Sequence, residues 1–69
     1  LIELKGDQTK IDGNVTGGNS FDYGLHTWDT SSRIHLLCPL TKESVSTNND
    51  GGKNYGGFGG TIETVIAFE

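Results

Sequence analysis

Three side chains, those of His26, His35 and Cys38, have the chemistry for metal binding or nucleophilic catalysis. Imidazole and thiolate groups bind zinc and copper, but the sequence shows no Cys/His cluster with the spacing of a metal site. His35 and Cys38 are three residues apart, so a strand would place them on opposite faces. We therefore predict no Cys–His catalytic pair, and we expect Cys38 to be a small buried hydrophobic residue.

Two loop patterns also lack the spacing of a binding motif. The aspartates do not follow the order of an EF-hand loop, which predicts solvated carboxylates rather than a calcium site. The glycine-rich residues 51–60 lack the Gly-Lys-Ser/Thr ending and the following helix of a phosphate-binding loop. We predict a flexible loop that carries two aromatic contact residues, Tyr55 and Phe58.

Aromatic side chains supply a candidate binding surface. Trp28 follows His26 by two residues, so an extended strand would place both on one face. Tryptophan is enriched at binding hot spots, and aromatic faces suit contacts with sugars or proteins. The hypothesis is a contact surface formed by Trp28, Tyr55 and Phe58. In the alternative, Trp28 only covers exposed core at a sheet edge.

Composition limits the partners and the location. The net charge is −4 and the five basic residues are scattered, which argues against nucleic acid as a partner. No apolar run approaches the roughly 20 residues of a membrane span. Abundant Gly, Asn, Ser and Thr, with no Met, favour an extracellular or secreted domain. Asn14 begins an Asn-Val-Thr triplet, which predicts glycosylation at that residue.

The chain, 69 residues long, fits a single domain over residues 1–69. A core of this size supplies only about 3–5 kcal/mol of net stability, and Cys38 cannot form an internal disulfide. We therefore expect the chain to depend on other protein subunits or on copies of itself. Because it begins with leucine, we also expect a processed or partial chain.

Period-two alternation predicts short strands near residues 2–5, 11–15, 21–26, 33–40 and 62–68. In the third of these, Tyr23 and Leu25 are expected on one face and His26 on the other. Turn residues separate the strands, and the longest break is predicted over residues 46–60. No helical period and no exact internal repeat are visible. Short strands at this spacing predict an all-β antiparallel sandwich or barrel.

Several short motifs give the chain a resemblance to the Cu,Zn superoxide dismutase family. Residues 13–17 (GNVTG) and 24–26 (GLH) are similar in order and spacing to a strand, a turn and the copper-binding strand of that family. His35, Pro39, Leu40 and Lys42 resemble its H-F-N-P-L-x-K run, with one inserted residue, and residues 54–60 resemble its H-x-G-D-L-G-N run. The resemblance implies an incomplete antiparallel Greek-key β domain of superoxide dismutase type.

Most of the metal ligands that the resemblance implies are absent. Where the family has its second copper histidine, this sequence has Trp28, whose indole ring has no lone pair to offer a metal. The last two zinc ligands would fall at Asn54 and Gly57. Only His26 and His35 remain as candidate ligands for copper or zinc, and we assign no certain cofactor and no catalytic residue.

Three functional hypotheses follow. The first is a non-catalytic or weakly metal-binding superoxide dismutase-like extracellular module, with a structural or binding role in a larger assembly. The second is an active Cu,Zn superoxide dismutase fragment completed by other segments or subunits. The third sets the resemblance aside and is a glycine-rich β domain for surface attachment, such as a lectin-like, virion or filament component.

Overall fold

A computed structural model describes residues 1–14, 23–50 and 53–68 of the chain. In this part of the protein, short strands dominate and one helical turn interrupts them. The elements are β1 (Ile2–Leu4), β2 (Ile11–Asp12), β3 (Leu25–Thr27), β4 (Arg33–Leu37), α1 (Lys42–Val45), β5 (Ser46–Thr47), β6 (Tyr55–Gly57) and β7 (Thr61–Val65).

The strands form three parallel sheets through which the chain passes in a fixed order. The first sheet is β1-β4-β7, the second is β2-β5, and the third is β3-β6. The chain therefore runs through sheets one, two and three, repeats that path, and enters the first sheet a third time. Such a path is a coil, so the described residues form a short parallel β-solenoid. The shortest dimension, 13 Å, suits strands stacked about 4.8 Å apart.

The prediction of a β-rich chain is confirmed, but the antiparallel arrangement is wrong. Every strand pairing in the described residues is parallel. An antiparallel Greek key joins neighbouring strands by tight turns, whereas parallel strands need long connections between partners. Here the connection between two paired strands passes through the other two sheets and so completes one turn of the coil. The solenoid therefore does not supply the Greek-key sandwich or barrel that the superoxide dismutase resemblance implies.

Stacked apolar rows form the core of the coil. Ile34 lies between Ile2 and Ile62 on the adjacent strands, while Leu36 lies between Leu4 and Thr64. The central members are buried: Ile34 is 4% and Leu36 is 0% exposed. At the outer end of one row, Ile2 is 53% exposed. Dependence on other subunits or on further copies stays a prediction.

The chain leaves the first sheet through a turn and a capped helical turn. Cys38 is exposed in that turn, so the prediction of a buried cysteine is wrong. The Thr41 hydroxyl accepts a hydrogen bond from the Ser44 amide, and the Ser44 hydroxyl accepts one from the Thr41 amide. This capping box starts α1 and directs Val45, which is fully buried, into the core.

The segment predicted as one long loop over residues 46–60 contains structure. It includes β5 and β6, the second-coil strands of the second and third sheets. Asn49 lies between them with its side chain fully buried. That amide donates hydrogen bonds to the Ile11 carbonyl and the Ser46 hydroxyl, so it ties one coil to the next. Buried polar bonding, rather than apolar burial, fixes this part of the chain.

Asp12 makes a second polar link between coils, on the outside of the second sheet. Its carboxylate accepts hydrogen bonds from the Thr47 hydroxyl at 2.6 Å and the Asn48 side-chain amide at 3.1 Å. These bonds, led by the one from Thr47, lower the pKa of the Asp12 carboxyl below its ordinary value of 3.8. The ionised carboxylate is therefore the form that joins β2 to β5.

The pH dependence of stability tests this link. A carboxyl whose pKa is lowered by folding stabilises the protein above its unfolded-state pKa, and that contribution disappears as the pH falls through the folded-state pKa. The wild type should have a higher melting temperature than Asp12→Asn near pH 6, and the difference should shrink as the pH falls below about 3.9, the ordinary pKa of an unfolded aspartate. Scanning fluorimetry across this pH range measures the difference. Asp7→Asn, on the loop between β1 and β2, is the control for the general effect of removing one carboxylate from the chain.

Candidate functional site: an aromatic cluster on the third sheet

The alternation of β3 separates core side chains from surface ones. Leu25 and Thr27 are each 4% exposed and point into the coil. His26 therefore points out, and Trp28 continues the same face just beyond the strand. In β6, Gly56 pairs with His26 and Gly57 with Thr27, so the next residue, Phe58, comes beside Trp28. The parallel register thus brings residues about thirty positions apart in sequence to one outer surface.

Four rings form what we call the aromatic cluster: Tyr23, His26, Trp28 and Phe58. The Trp28 and Phe58 rings meet edge to face with centroids 5.3 Å apart and planes at 86°. His26 lies behind them, 5.6 Å from Trp28 and 5.9 Å from Phe58. Tyr23 contacts the other side of His26, edge to face at 5.6 Å. The imidazole is therefore enclosed by three aromatic rings.

Glycine makes room for one of these rings. A Cβ atom on Gly56 would lie 2.8 Å from Cε1 of Tyr23, closer than two carbon atoms can approach. The absence of a side chain at Gly56 therefore lets Tyr23 cover His26. The prediction that Tyr23 and Leu25 share a face is wrong, because Tyr23 precedes β3 and does not follow its alternation.

The turn after Trp28 is held by one aspartate. The Asp29 carboxylate accepts hydrogen bonds from the Ser31 amide at 3.0 Å, the Ser31 hydroxyl at 2.8 Å and the Ser32 hydroxyl at 3.1 Å. The bond from the Ser31 hydroxyl is the main reason that the pKa of Asp29 is lowered. The turn continues into the first sheet, where the Thr61 amide donates to the Ser32 carbonyl. The backbone beside Trp28 is thus fixed from one side.

In the aromatic cluster, large apolar rings are exposed while a polar atom is buried. Trp28 is 69% exposed and Phe58 is 46% exposed, although both are large and apolar. Nε2 of His26, a polar atom, is buried beneath them and has no hydrogen-bond partner among the described residues. Buried polar atoms are nearly always paired. The cluster therefore combines an exposed apolar surface with one concealed polar atom.

The predicted contact surface is only partly assembled by the fold. Trp28 and Phe58 are in contact, but Tyr55 is on the other face of the sheet, since it pairs with the inward-pointing Leu25. The Tyr55 hydroxyl donates to Glu43 at 3.3 Å, and the Lys42 ammonium lies 4.7 Å from the ring centroid. Sequence reasoning missed Tyr23 as a neighbour of His26. The position of Tyr23 beside His26 depends on the pairing of His26 with Gly56, and the sequence alone does not give that strand register.

The two candidate metal ligands lie in different sheets. His26 belongs to β3, and His35 belongs to β4, where its Nε2 lies 3.3 Å from a carboxylate oxygen of Glu63. In the described ranges, no group of three or more His, Cys, Asp or Glu side chains is placed to hold a metal ion. Metal binding by either histidine stays a prediction.

Asn14 is the last described residue before the first gap, and the Val15 and Thr16 of its triplet lie outside the described residues. Its side-chain amide, the atom that a glycan would occupy, donates to Oδ1 of Asn49 at 3.0 Å. Glycosylation at Asn14 remains a prediction. None of the helices in the described ranges has the length and apolar character needed to cross a membrane.

A groove of about 690 Å³ lies on the first sheet, away from the aromatic cluster. Glu3 and His35 line it, together with apolar residues near the end of β7. The His35 imidazole in this groove is paired with the Glu63 carboxylate. It therefore does not offer a buried, unpaired polar atom to a ligand. Despite its size, we consider this groove a weaker candidate than the aromatic cluster, which has both exposed rings and the unpaired Nε2.

No family model matches the chain, and searches of curated proteins and of solved structures found no match. These comparisons do not test the superoxide dismutase resemblance, which stays a prediction. The fold defines the protein only as a parallel β-solenoid segment with an exposed aromatic cluster.

Proposed function

We propose that this chain is a non-catalytic binding module that attaches to polysaccharide through the aromatic cluster. The observation that carries the proposal is the exposure of Trp28 while its ring is held against Phe58 and His26. A large apolar ring exposed on an outer surface costs free energy in water, and a ligand that covers it recovers that cost. This is the surface-attachment hypothesis, with Tyr55 removed from the contact surface.

The size of the exposed surface favours a sugar over a protein partner. Trp28 and Phe58 together present about 250 Å² of ring surface, given their exposures and the usual area of aromatic side chains. A stable protein interface needs about 800 Å² from each partner. An area of this size instead suits one or two sugar rings, whose apolar C–H faces pack on aromatic rings.

Charge limits the kind of polysaccharide. The chain carries a net charge of −4, so a strongly anionic polymer would be repelled at low ionic strength. Arg33, which lies near the turn after Trp28, donates from Nη1 to the carbonyls of Thr30 and Ser32. The net negative charge of the chain supports a neutral polysaccharide as the ligand.

Replacing Trp28 by alanine tests the proposal. The wild type should bind at least one polymer in a panel of neutral polysaccharides in affinity electrophoresis, and Trp28→Ala should weaken that binding roughly 30-fold, the effect of a hot-spot residue. Tyr55→Ala is the matched control, because it removes an aromatic ring from the other face of the same sheet. Wild-type affinity in Trp28→Ala, or no binding across the panel, would disprove the proposal.

A further inference from the structure

The concealed Nε2 atom of His26 is the feature that the proposed function does not yet explain. Exposed aromatic rings alone would bind any ligand with an apolar face. A buried nitrogen without a partner can discriminate between ligands, because water cannot reach it and the described residues do not bond to it. Leaving such an atom unpaired costs free energy. A ligand that reached it would recover that cost together with the apolar surface.

Two exposed side chains lie beside the imidazole that carries this atom. The Trp28 and Phe58 rings lie 5.6 and 5.9 Å from the imidazole, and both are on the solvent side of the cluster. Trp28 is 69% exposed, so its side chain gives up little buried contact when it rotates away. Thr27, by contrast, points into the core and holds the backbone of β3 in place. Displacement of the Trp28 ring would therefore open a path to the imidazole without a change in the sheet.

The hydrogen-bonding chemistry of imidazole limits the class of ligand. In neutral histidine, Nε2 either donates or accepts a hydrogen bond, according to the tautomer. A hydroxyl group both donates and accepts, so it pairs with either tautomer. A ligand that covers aromatic rings with C–H groups and offers a hydroxyl close to that face is a sugar ring.

We propose that His26 is the hydrogen-bonding residue of the saccharide site and that its Nε2 pairs with a hydroxyl of a neutral sugar ring once Trp28 has moved aside. The inference rests on the proposed function and deepens it. The displaced Trp28 ring packs against the apolar face of the sugar and supplies affinity, whereas His26 selects ligands that carry a hydroxyl beside that face. The site is therefore latent until Trp28 moves.

The experiment is a calorimetric titration with neutral hexasaccharides from the polymers that bind the wild type. His26→Phe keeps an aromatic ring and removes both nitrogen atoms, so its affinity should fall about tenfold. His26→Gln restores an amide group near the position of Nε2, and its affinity should stay within about threefold of the wild type. His35→Phe, the same substitution on the first sheet, is the matched control and should bind normally.

Two spectroscopic signals report the mechanism directly. Trp28 is the only tryptophan of the chain, so its fluorescence should shift when the sugar displaces the ring. In a nitrogen-labelled sample, the Nε2 resonance of His26 should shift on addition of sugar, while that of His35 should not. Circular dichroism melts of each variant show whether a loss of affinity is a loss of folding.

The outcomes separate this inference from the proposed function. Wild-type affinity in His26→Phe, with binding lost in Trp28→Ala, would overturn the role of His26 and leave the aromatic attachment surface standing. Normal binding by both variants would overturn both. Trp28-dependent binding restricted to an anionic polymer such as polygalacturonate would overturn the neutral sugar ligand. A His26 resonance that does not move in the bound protein would contradict the hydrogen bond.

Discussion

Replacing Asn49 by alanine is expected to unfold most of the protein. The Asn49 side chain is 0% exposed, and its amide nitrogen donates to the Ile11 carbonyl and the Ser46 hydroxyl, both at 2.9 Å. Its oxygen accepts from the backbone and side-chain nitrogens of Asn14, both at 3.0 Å. Alanine removes all four of these hydrogen bonds, and the Ser46 hydroxyl keeps its bond to the Asn54 carbonyl.

The magnitude follows from the number of hydrogen bonds lost. A typical intramolecular hydrogen bond contributes about 0.5–1.5 kcal/mol, so the loss of all four should cost roughly 3 kcal/mol or more. A core of this size supplies only about 3–5 kcal/mol in all. Urea unfolding followed by circular dichroism should therefore show Asn49→Ala unfolded, or nearly so, without denaturant.

Asn48→Gly is the matched control for that experiment. Asn48 is exposed, its side chain donates to Asp12, and its φ of 55° suits glycine. We expect it to lose less than about 1 kcal/mol. If Asn49→Ala were no less stable than Asn48→Gly, the hydrogen bonds of Asn49 would not be what joins the coils.

Replacing Gly57 by alanine should have the second large effect. Gly57 pairs with Thr27 in the third sheet, and its φ of 148° lies where side chains are rarely tolerated. A Cβ atom there would overlap the carbonyl oxygen of Thr27. The two strands would have to separate, which should cost more than about 3 kcal/mol of unfolding free energy. Phe58, the next residue, would lose its place beside Trp28.

Gly13→Ala separates the steric overlap from the backbone strain. Gly13 also has a positive φ, 69°, but a Cβ atom there would meet nothing within 4 Å. It should therefore cost only the strain of the left-handed conformation, about 1–2 kcal/mol. Urea unfolding of both variants gives the comparison. Equal losses would show that the close approach of β6 to Thr27 does not occur in solution.

Local strand positions were predicted well where apolar and polar residues alternate over a clear stretch. The predicted opening strand contains β1, and the predicted run from residue 33 contains β4. β5 and β6 were missed because Ser, Thr and Gly give no hydrophobic period. The capped turn of α1 is too short to show a helical period.

The candidate site was also predicted only in part, because local alternation shows which residues of one strand share a face but does not show which strands pair. Period two correctly placed Trp28 on the same side as His26, although Trp28 lies just beyond β3. It carried no information about Phe58, which joins them only because β6 pairs with β3 in parallel. Tyr55 lies on the other face of the sheet because it pairs with Leu25, and no local pattern in the sequence shows this pairing.

By itself the sequence determined a β-rich chain with net negative charge and an aromatic residue beside a strand histidine. Strand direction and pairing were decided by the tertiary structure alone. Backbone hydrogen bonding is the same for every residue type, so partners such as Ile2, Ile34 and Ile62 are selected only when the coil closes and buries them together. Because successive coils differ in length, no repeat in the sequence revealed that closure.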